Sequence, residues 1–468
     1  MKYLLKTFLF ILLSIQTFAQ HDLSGIWSGK LELPNSASLT IVFNLSVDTN
    51  GNYSSTLDSP DQGAMGIQTE STEIKEDSIF INVPVIKAVY KGKILFDEKK
   101  IDGIWSQAGM NLNLLVSKTD KIELPKRPQE PKEPYPYNSE DVLFENEVDN
   151  IVLAGTLTYP KEGKLFPAVI LISGSGGQNR DEEIFNHKPF LVIADYLTRN
   201  GIAVLRFDDR GIGQSTGKQE GATSEDFAKD VLAGVKFLKE RNEIDKTKIG
   251  LIGHSEGGII APLAAVQSTD IAFIILMAGP GVPGYTILSA QNELIMRSEG
   301  VSEDEIQKSL KSQQEVFSIL KNSSADNLEK ELRDKLSSEY QSLTDEEKAK
   351  LGDSITYIDM QTKILSSPWF KYFLNHDPAS VLVKVKCPVL AINGENDLQV
   401  PPKENLSAIK TALEKGGNKN FEVLELKGLN HLFQTSDTGK ISEYGQIEET
   451  ISPLALQTIL GWIKKILK

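Results

Sequence analysis

The stretch Lys248-Ile-Gly-Leu-Ile-Gly-His-Ser-Glu-Gly-Gly258 constrains this chain more than any other. Ile249 to Ile252 is short, apolar and β-prone, and good helix formers run from Ile259 to Val266. Between them, Gly253-His254-Ser255-Glu256-Gly257 fits the spacing G-x-S-x-G. A strand that passes at once into a helix forces the residue between them into a tight, strained backbone turn. Glycines two before and two after that residue remove the Cβ atoms that would collide there. The pattern predicts a Ser255 hydroxyl lifted above a strand end. A helix N-terminus lies beneath it, where developing negative charge is favoured. The bland alternative is a strand-to-helix turn with Ser255 as an ordinary N-cap residue. The rest of the chain separates the two readings.

A chain of 468 residues is long enough to bury two cores. Its net charge of −14 argues against a nucleic-acid partner, which would want a basic face. The acidity reads as solubility. Lys2 and Lys6, the apolar run Phe8 to Ile15 and the small residues of Thr17-Phe18-Ala19 predict a signal peptide over 1–19, cleaved after Ala19. A membrane span needs about 20 apolar residues, far more than this run supplies. The expectation is an exported, periplasmic or extracellular protein with no stable membrane span. Cys387 is the only cysteine, so no intrachain disulfide is possible. It sits in an apolar strand and reads as buried and inert.

Residues 20–120 predict a β-rich accessory domain, with alternating strings such as Leu39-Thr-Ile-Val-Phe-Asn-Leu separated by turn signals. Gly25-Ile-Trp27-Ser and Gly103-Ile-Trp105-Ser suggest the first and last strands of a small antiparallel barrel, each giving a core tryptophan. Residues 121–138 hold Pro125, Pro128, Pro131, Pro134 and Pro136, which favour extended polyproline geometry and a semi-rigid spacer. From 139 to 468, continuous apolar strands alternate with helices, which predicts a mostly parallel sheet buried on both faces. The alternation stops over about 285–381, where helical periodicity and many charges predict a cap inserted over the site. Trp369, Phe370, Tyr372 and Phe373 would anchor that cap or line the pocket beneath it.

A serine nucleophile needs a base, and the base an orienting carboxylate. On a sheet with this elbow the partners follow in the order serine, acid, histidine. Of the five histidines, His21 lies at the processed terminus and His187 precedes the serine. His254 adjoins Ser255 and would point away from it. His431 follows a strand in the loop Gly428-Leu-Asn-His-Leu-Phe and is the preferred base, with His376 the alternative. The turn after the strand Val389 to Asn393 offers Asp397 as the acid, with Glu395 as runner-up. Two backbone N–H groups should hold an oxyanion. One belongs to Glu256 and the other to Ser175 in the loop Ser173-Gly-Ser-Gly-Gly177, with Gly176 next. That loop lacks the G-x-G-x-x-G spacing and the lysine of phosphate-binding loops.

Residues from about 139 to 468 resemble the α/β-hydrolase superfamily. The nearest likeness is to bacterial esterases and serine-aminopeptidase-like (S33-type) hydrolases with a Gly-His-Ser-Glu-Gly-Gly elbow. The strings that carry the resemblance are Ser173-Gly-Ser-Gly176, Arg206-Phe-Asp-Asp-Arg-Gly-Ile-Gly-Gln-Ser215, the elbow, Asn393-Gly-Glu-Asn-Asp397-Leu-Gln-Val-Pro401 and Asn430-His431. Ser173 departs from many relatives, which carry histidine before the glycine. The resemblance implies that Asp208, Asp209 and Arg210 brace a loop. The β-rich N-terminal part lies outside it. The expectation is a carboxylic-ester hydrolase using Ser255, His431 and Asp397, acting on a small ester without cofactor or metal. A peptidase or thioester hydrolase with the same triad is the first rival. A binding protein with a vestigial triad is the second.

Overall fold

A computed structural model of the chain describes residues 22–32, 38–62, 64–107, 110–122, 126–351 and 353–468. Residues 1–21, which include the expected signal peptide and His21, lie outside the described residues.

The first sheet has nine strands: β1 (Gly25–Glu32), β2 (Ser38–Val47), β3 (Tyr53–Ser59), β4 (Ala64–Gln68), β5 (Ser71–Lys75), β6 (Ser78–Val83), β7 (Ala88–Leu95), β8 (Lys100–Gln107) and β9 (Met110–Thr119). Their order, β4-β3-β2-β1-β9-β8-β7-β6-β5, sets β9 back against β1 and leaves β4 and β5 as edges. The sheet is therefore a half-barrel, open along one seam. Ser55 Oγ and Thr72 Oγ1, 2.7 Å apart, bridge β3 and β5 across that seam. Period-two alternation turns one face inward. Trp27 and Trp105 are both 2% exposed there, beside Phe43 and Tyr90. The two Gly-Ile-Trp-Ser strings fall on the first and the penultimate strand, and β9 closes onto β1.

The second sheet contains β10 (Asn138–Asn146), β11 (Ile151–Tyr159), β12 (Phe166–Ile172), β13 (Ala203–Phe207), β14 (Ile244–His254), β15 (Ile271–Met277), β16 (Val389–Gly394) and β17 (Phe421–Leu426). The order is β10-β11-β13-β12-β14-β15-β16-β17. β11 is antiparallel to both neighbours, and every pair from β13 to β17 is parallel. Helices Pro189–Arg199 and Pro453–Ile466 cover one face. Helices Ser224–Glu240, Gly257–Ala265 and Pro402–Lys415 cover the other. Burial on both faces explains the unbroken apolar strands. Parallel crossovers gather the loops after β12, β14 and β16 at one edge, where ligands bind in such sheets.

Between β15 and β16 the chain leaves the sheet in seven helices, from Gly284–Ser298 to Ala379–Leu382. Ser302 starts the second of them through a capping box: its backbone N–H donates to Glu305 Oε2, and its Oγ accepts from Glu305 N. Val316, Leu320, Leu328, Leu332 and Leu374 give these helices a core of their own.

The proline-rich segment is more than a spacer. The Arg127 guanidinium donates to the carbonyls of Asn186 (3.1 Å), Phe185 (3.1 Å), Ile447 (3.0 Å) and Gly445 (2.8 Å). Gln129 accepts from Thr450 N and Ile451 N and donates to Ile451 O. The expected extended spacer is broken by a turn at this point, closed by Glu130 N donating to Arg127 O at 3.2 Å, and the Arg127 and Gln129 side chains reach across to strap loops of the second sheet. Under the strap lies His187, with Nδ1 2.9 Å from Thr450 Oγ1 and Nε2 2.9 Å from Tyr444 O. Burial, and then the charge of Arg127, hold its pKa down at about 4.

Arg127→Ala should destabilise the chain by about 2 kcal/mol in denaturant unfolding, because four carbonyls lose one cation. Lysine at the same position should recover only part of that, since one ammonium cannot span the four acceptors. His187 favours its neutral form in the fold, so its contribution is complete above pH 6.5 and is lost as pH falls through about 4. Wild type should lose more stability across that interval than His187→Gln; parallel curves would contradict the assignment.

Candidate active site

β14 ends at His254 and the next helix begins at Gly257, so the serine between them has almost no room. Ser255 has φ of 52°, in the left-handed region that non-glycine residues seldom enter. A Cβ on Gly253 would lie 2.0 Å from Gly257 O, and one on Gly257 would lie 2.2 Å from Ile172 O. Only glycines let the strand, the turn and the helix press against the end of β12. Ser255 N donates to Met277 O at 2.9 Å, tying the turn to β15. Among the described residues the Ser255 hydroxyl has no hydrogen-bond partner.

His431 and Asp397 are brought together, with Nδ1 2.8 Å from Oδ2 and both side chains buried. The other oxygen of Asp397 accepts from Gln399 N (2.8 Å) and Val400 N (2.9 Å), which fixes the carboxylate in the plane the imidazole meets. With a carboxylate at Nδ1, that nitrogen donates and Nε2 is left to take a proton. Gly394 makes the approach possible, because a Cβ there would lie 2.3 Å from Leu429 O. Asn430 Oδ1 accepts from Leu432 N and Gln434 N and so shapes the loop that carries His431. Glu395 instead accepts from Gly428 N on the exposed side of the turn. His376 stacks on Tyr372 near the end of the cap. Cys387 is half-buried rather than buried, and burial pushes its thiol up to about 11.

The loop after β12 lies against the elbow: a Cβ on Gly174 would stand 3.3 Å from Ser255 Cβ. Asp209 grips both ends of this loop, accepting from Ser173 Oγ (2.8 Å) and Gln178 N (2.9 Å). Burial, reinforced by the nearby Glu182 and Glu256 carboxylates, raises Asp209 to about 7 against those two donors. Ser173, the departure from the histidine of many relatives, thus serves as a clamp. Asp208 pairs with Arg180, and Arg210 with Asp230 and Asp149, further from the elbow. Among the described residues neither the Ser175 nor the Glu256 backbone N–H has an acceptor. Both therefore remain able to donate to a developing oxyanion.

Two features of the site carried no signal in the sequence. Glu182 accepts from Gly174 N at 2.7 Å and faces His254 Nδ1 at 2.9 Å. Its origin in the polar run Asn179-Arg-Asp-Glu-Glu183 has no spacing that marks it. The Glu256 side chain, behind the elbow, accepts from Ser224 Oγ (2.7 Å) and from the indole N–H of Trp369 (2.9 Å). Burial raises the Glu256 carboxyl above its ordinary value, against both donors. Trp369 also stacks on Phe373 at 5.4 Å, so the expected aromatic cluster anchors the cap to the residue that follows Ser255. Among the described residues, no group of three or more His, Cys, Asp or Glu side chains is placed to hold a metal ion. No described helix is long and apolar enough to cross a membrane.

The sheet order, the strained serine between strand and helix, and the helical insertion before β16 define an α/β-hydrolase fold. Residues 188–313 match the family model described as serine aminopeptidase, S33. The chain is 28% identical over 321 residues to the esterase EstD of Thermotoga maritima, covering 67% of this chain and 66% of that protein. It thus spans just under two thirds of that relative's length. It is 24% identical over 271 residues to an uncharacterized 31.7 kDa protein of Escherichia coli, covering 58% of this chain and 86% of the relative. A solved Pyrococcus furiosus esterase, Pf2001, matches at 16% identity and a TM-score of 0.44, over 74% of this chain and 100% of that one. The chain is an α/β hydrolase by fold, with sequence similarity to the S33 serine-aminopeptidase model over 188–313 and to the esterase EstD.

Trp369→Phe keeps the stack on Phe373 and removes the donor to Glu256. It should cost about 1–2 kcal/mol and expose the cap helices to limited proteolysis before the rest of the chain. An unchanged cleavage pattern would mean that the indole contact does not hold the cap.

Proposed function

We propose that the chain is an exported serine hydrolase that cleaves small carboxylic esters through an acyl-enzyme. The observation that carries this reading is the buried His431–Asp397 pair, whose imidazole lies 4.9 Å from the ring of His254, the residue before the serine of the strained elbow. The residue before the serine reaches the loop of the proposed base: His254 Nε2 donates to the His431 carbonyl at 3.0 Å. In the proposed reaction Ser255 Oγ attacks the acyl carbon as His431 Nε2 takes its proton. Asp397 keeps the imidazole in the tautomer that accepts there. The Glu256 and Ser175 N–H groups receive the negative charge on the carbonyl oxygen. His431 returns the proton to the leaving alcohol, then draws one from the water that frees the acid. The likeness to an esterase supports the ester reading. Export rests on the N-terminal sequence pattern alone.

The description of the family model gives weight to a second reading, amide hydrolysis by the same groups. Aryl acetates and butyrates compared with aminoacyl-anilides separate the two. On the preferred substrate, Ser255→Ala should lower kcat by about 10⁴-fold or more in a folded protein. The same variant should lose labelling by a fluorophosphonate probe. Unchanged turnover in folded Ser255→Ala would refute the nucleophile, and anilide turnover above that of the esters would replace the ester reading.

A further inference from the structure

His254 lies one residue from Ser255, yet both of its ring nitrogens are engaged elsewhere. Nδ1 is 2.9 Å from Glu182 Oε1, and Nε2 is 3.0 Å from the His431 carbonyl oxygen. A carboxylate and a carbonyl are both acceptors, so both nitrogens donate and the ring is an imidazolium. Burial alone would oppose that charge. The Glu182 carboxylate and the hydrogen bond to it outweigh burial and raise His254 above the ordinary histidine value. Glu182 is itself buried and has φ of 50°. Such a backbone persists only where surrounding contacts over-determine it.

Three loops meet at this pair. Glu182 Oε1 also accepts from Gly174 N at 2.7 Å, in the loop that carries Ser175. His254 is the last residue of β14 before the serine. His431 O belongs to the loop that carries the proposed base, and the two imidazole rings lie 4.9 Å apart. The reaction proposed above needs those three loops in fixed register, because nucleophile, base and oxyanion donors come from different segments of the chain. No other side chains among the described residues bridge all three. Asp209 reaches only the oxyanion loop. Asp397 reaches only the base and its own turn.

We propose that Glu182 and His254 are positioning residues, a buried carboxylate–imidazolium pair that locks the oxyanion loop, the serine elbow and the base loop into one arrangement. The proposal rests on the serine-hydrolase reading. It assigns a task to a histidine that the triad does not use and to a carboxylate in a loop of otherwise ordinary polar residues. Losing either partner frees Gly174 N–H or the His431 carbonyl and leaves a charge buried without its counterpart. Losing both removes the charges together, which buried pairs tolerate far better.

The test compares Glu182→Gln, His254→Gln and the double variant with wild type. Each is measured with a p-nitrophenyl ester and titrated with a fluorophosphonate to count reactive serines. The double variant should fold, because it buries no unpaired charge. Its kcat per labelled site should fall about 10²-fold with KM little changed, as expected when reacting groups drift by about 1 Å. The singles should each show a comparable loss, and the double should lose about as much as either single, far less than the product of the two, if they act as one unit. A double variant that is less stable but retains wild-type kcat per labelled site would overturn the proposal, since a purely structural pair moves stability alone. Strictly additive losses in the singles and the double would overturn it too. Failure of wild type to label or turn over would instead sink the hydrolase reading beneath it.

Discussion

The contact on which the site depends is steric: glycine backbone against glycine backbone at the elbow. A Cβ on Gly258 would lie 2.5 Å from Gly279 Cα, one on Gly257 2.2 Å from Ile172 O, and one on Gly253 2.0 Å from Gly257 O. These absent methyl groups let the helix Gly257–Ala265 sit directly on the ends of β12, β14 and β15. The strain at Ser255 is held by this packing and by the bond from Ser255 N to Met277 O. Because the helix sits on β12, the loop leaving β12 has nowhere to go except past the serine. The oxyanion loop and the elbow are therefore neighbours by construction, before any side chain is considered.

Around that backbone frame the chain sets several acids with few cations. Glu182 and Glu256 are buried and Asp209 half-buried, all within or behind the loops that meet at Ser255. Each is handled differently. Asp209 is raised to about 7 by desolvation, against the hydroxyl and the backbone N–H that hold it. Glu256 is desolvated and held by a hydroxyl and an indole, with no cation. Only Glu182 faces a cationic ring, and that ring is part of the elbow strand. A carboxylate without a cation is a weak anchor when ionised in a dry site. The cap is therefore fastened at a point sensitive to its own hydration, whereas the serine loops are fastened by a full ion pair.

Much of this was legible in the sequence. Continuous apolar strands declared the parallel sheet, because burial on both faces leaves no polar alternation. The glycine spacing declared the elbow, and the turn after β16 declared its acids. What could not be read depends on separations that no local pattern records. Glu182 and His254 are 72 residues apart, and Glu256 and Trp369 are 113 apart. His254 was expected to point away from Ser255, and its ring nitrogens do bond elsewhere; their partners came only with the fold. The half-barrel shows a subtler limit. Alternation gives the inward face of each strand, but not which two strands fail to pair, and the open seam fell between β4 and β5. Cys387, which the apolar run suggests is buried, lies in a bend two residues before β16 and is half-buried there.

The proline-rich segment gives the N-terminal half-barrel a physical connection to the site. The Arg127 and Gln129 side chains spend their donors and acceptors on the segment from Gly445 to Ile451. That segment begins just after Tyr444, whose carbonyl accepts from Gln434 and whose hydroxyl accepts from Gln399. Gln399 N in turn donates to Asp397 Oδ1. The half-barrel adds its own contact through Pro60 O, which accepts from Asn186 Nδ2 in the loop that Arg127 also holds. The strap therefore lies two hydrogen-bonded neighbours from the acid that orients His431. A cut in the strap would loosen the turn that aims the acid while leaving the backbone packing of the elbow in place. The two halves of the proposed triad thus share the Glu182–His254 contact but differ in the rest of their support: the nucleophile rests on steric contact within the sheet, and the acid–base pair on polar contacts that run out to the linker.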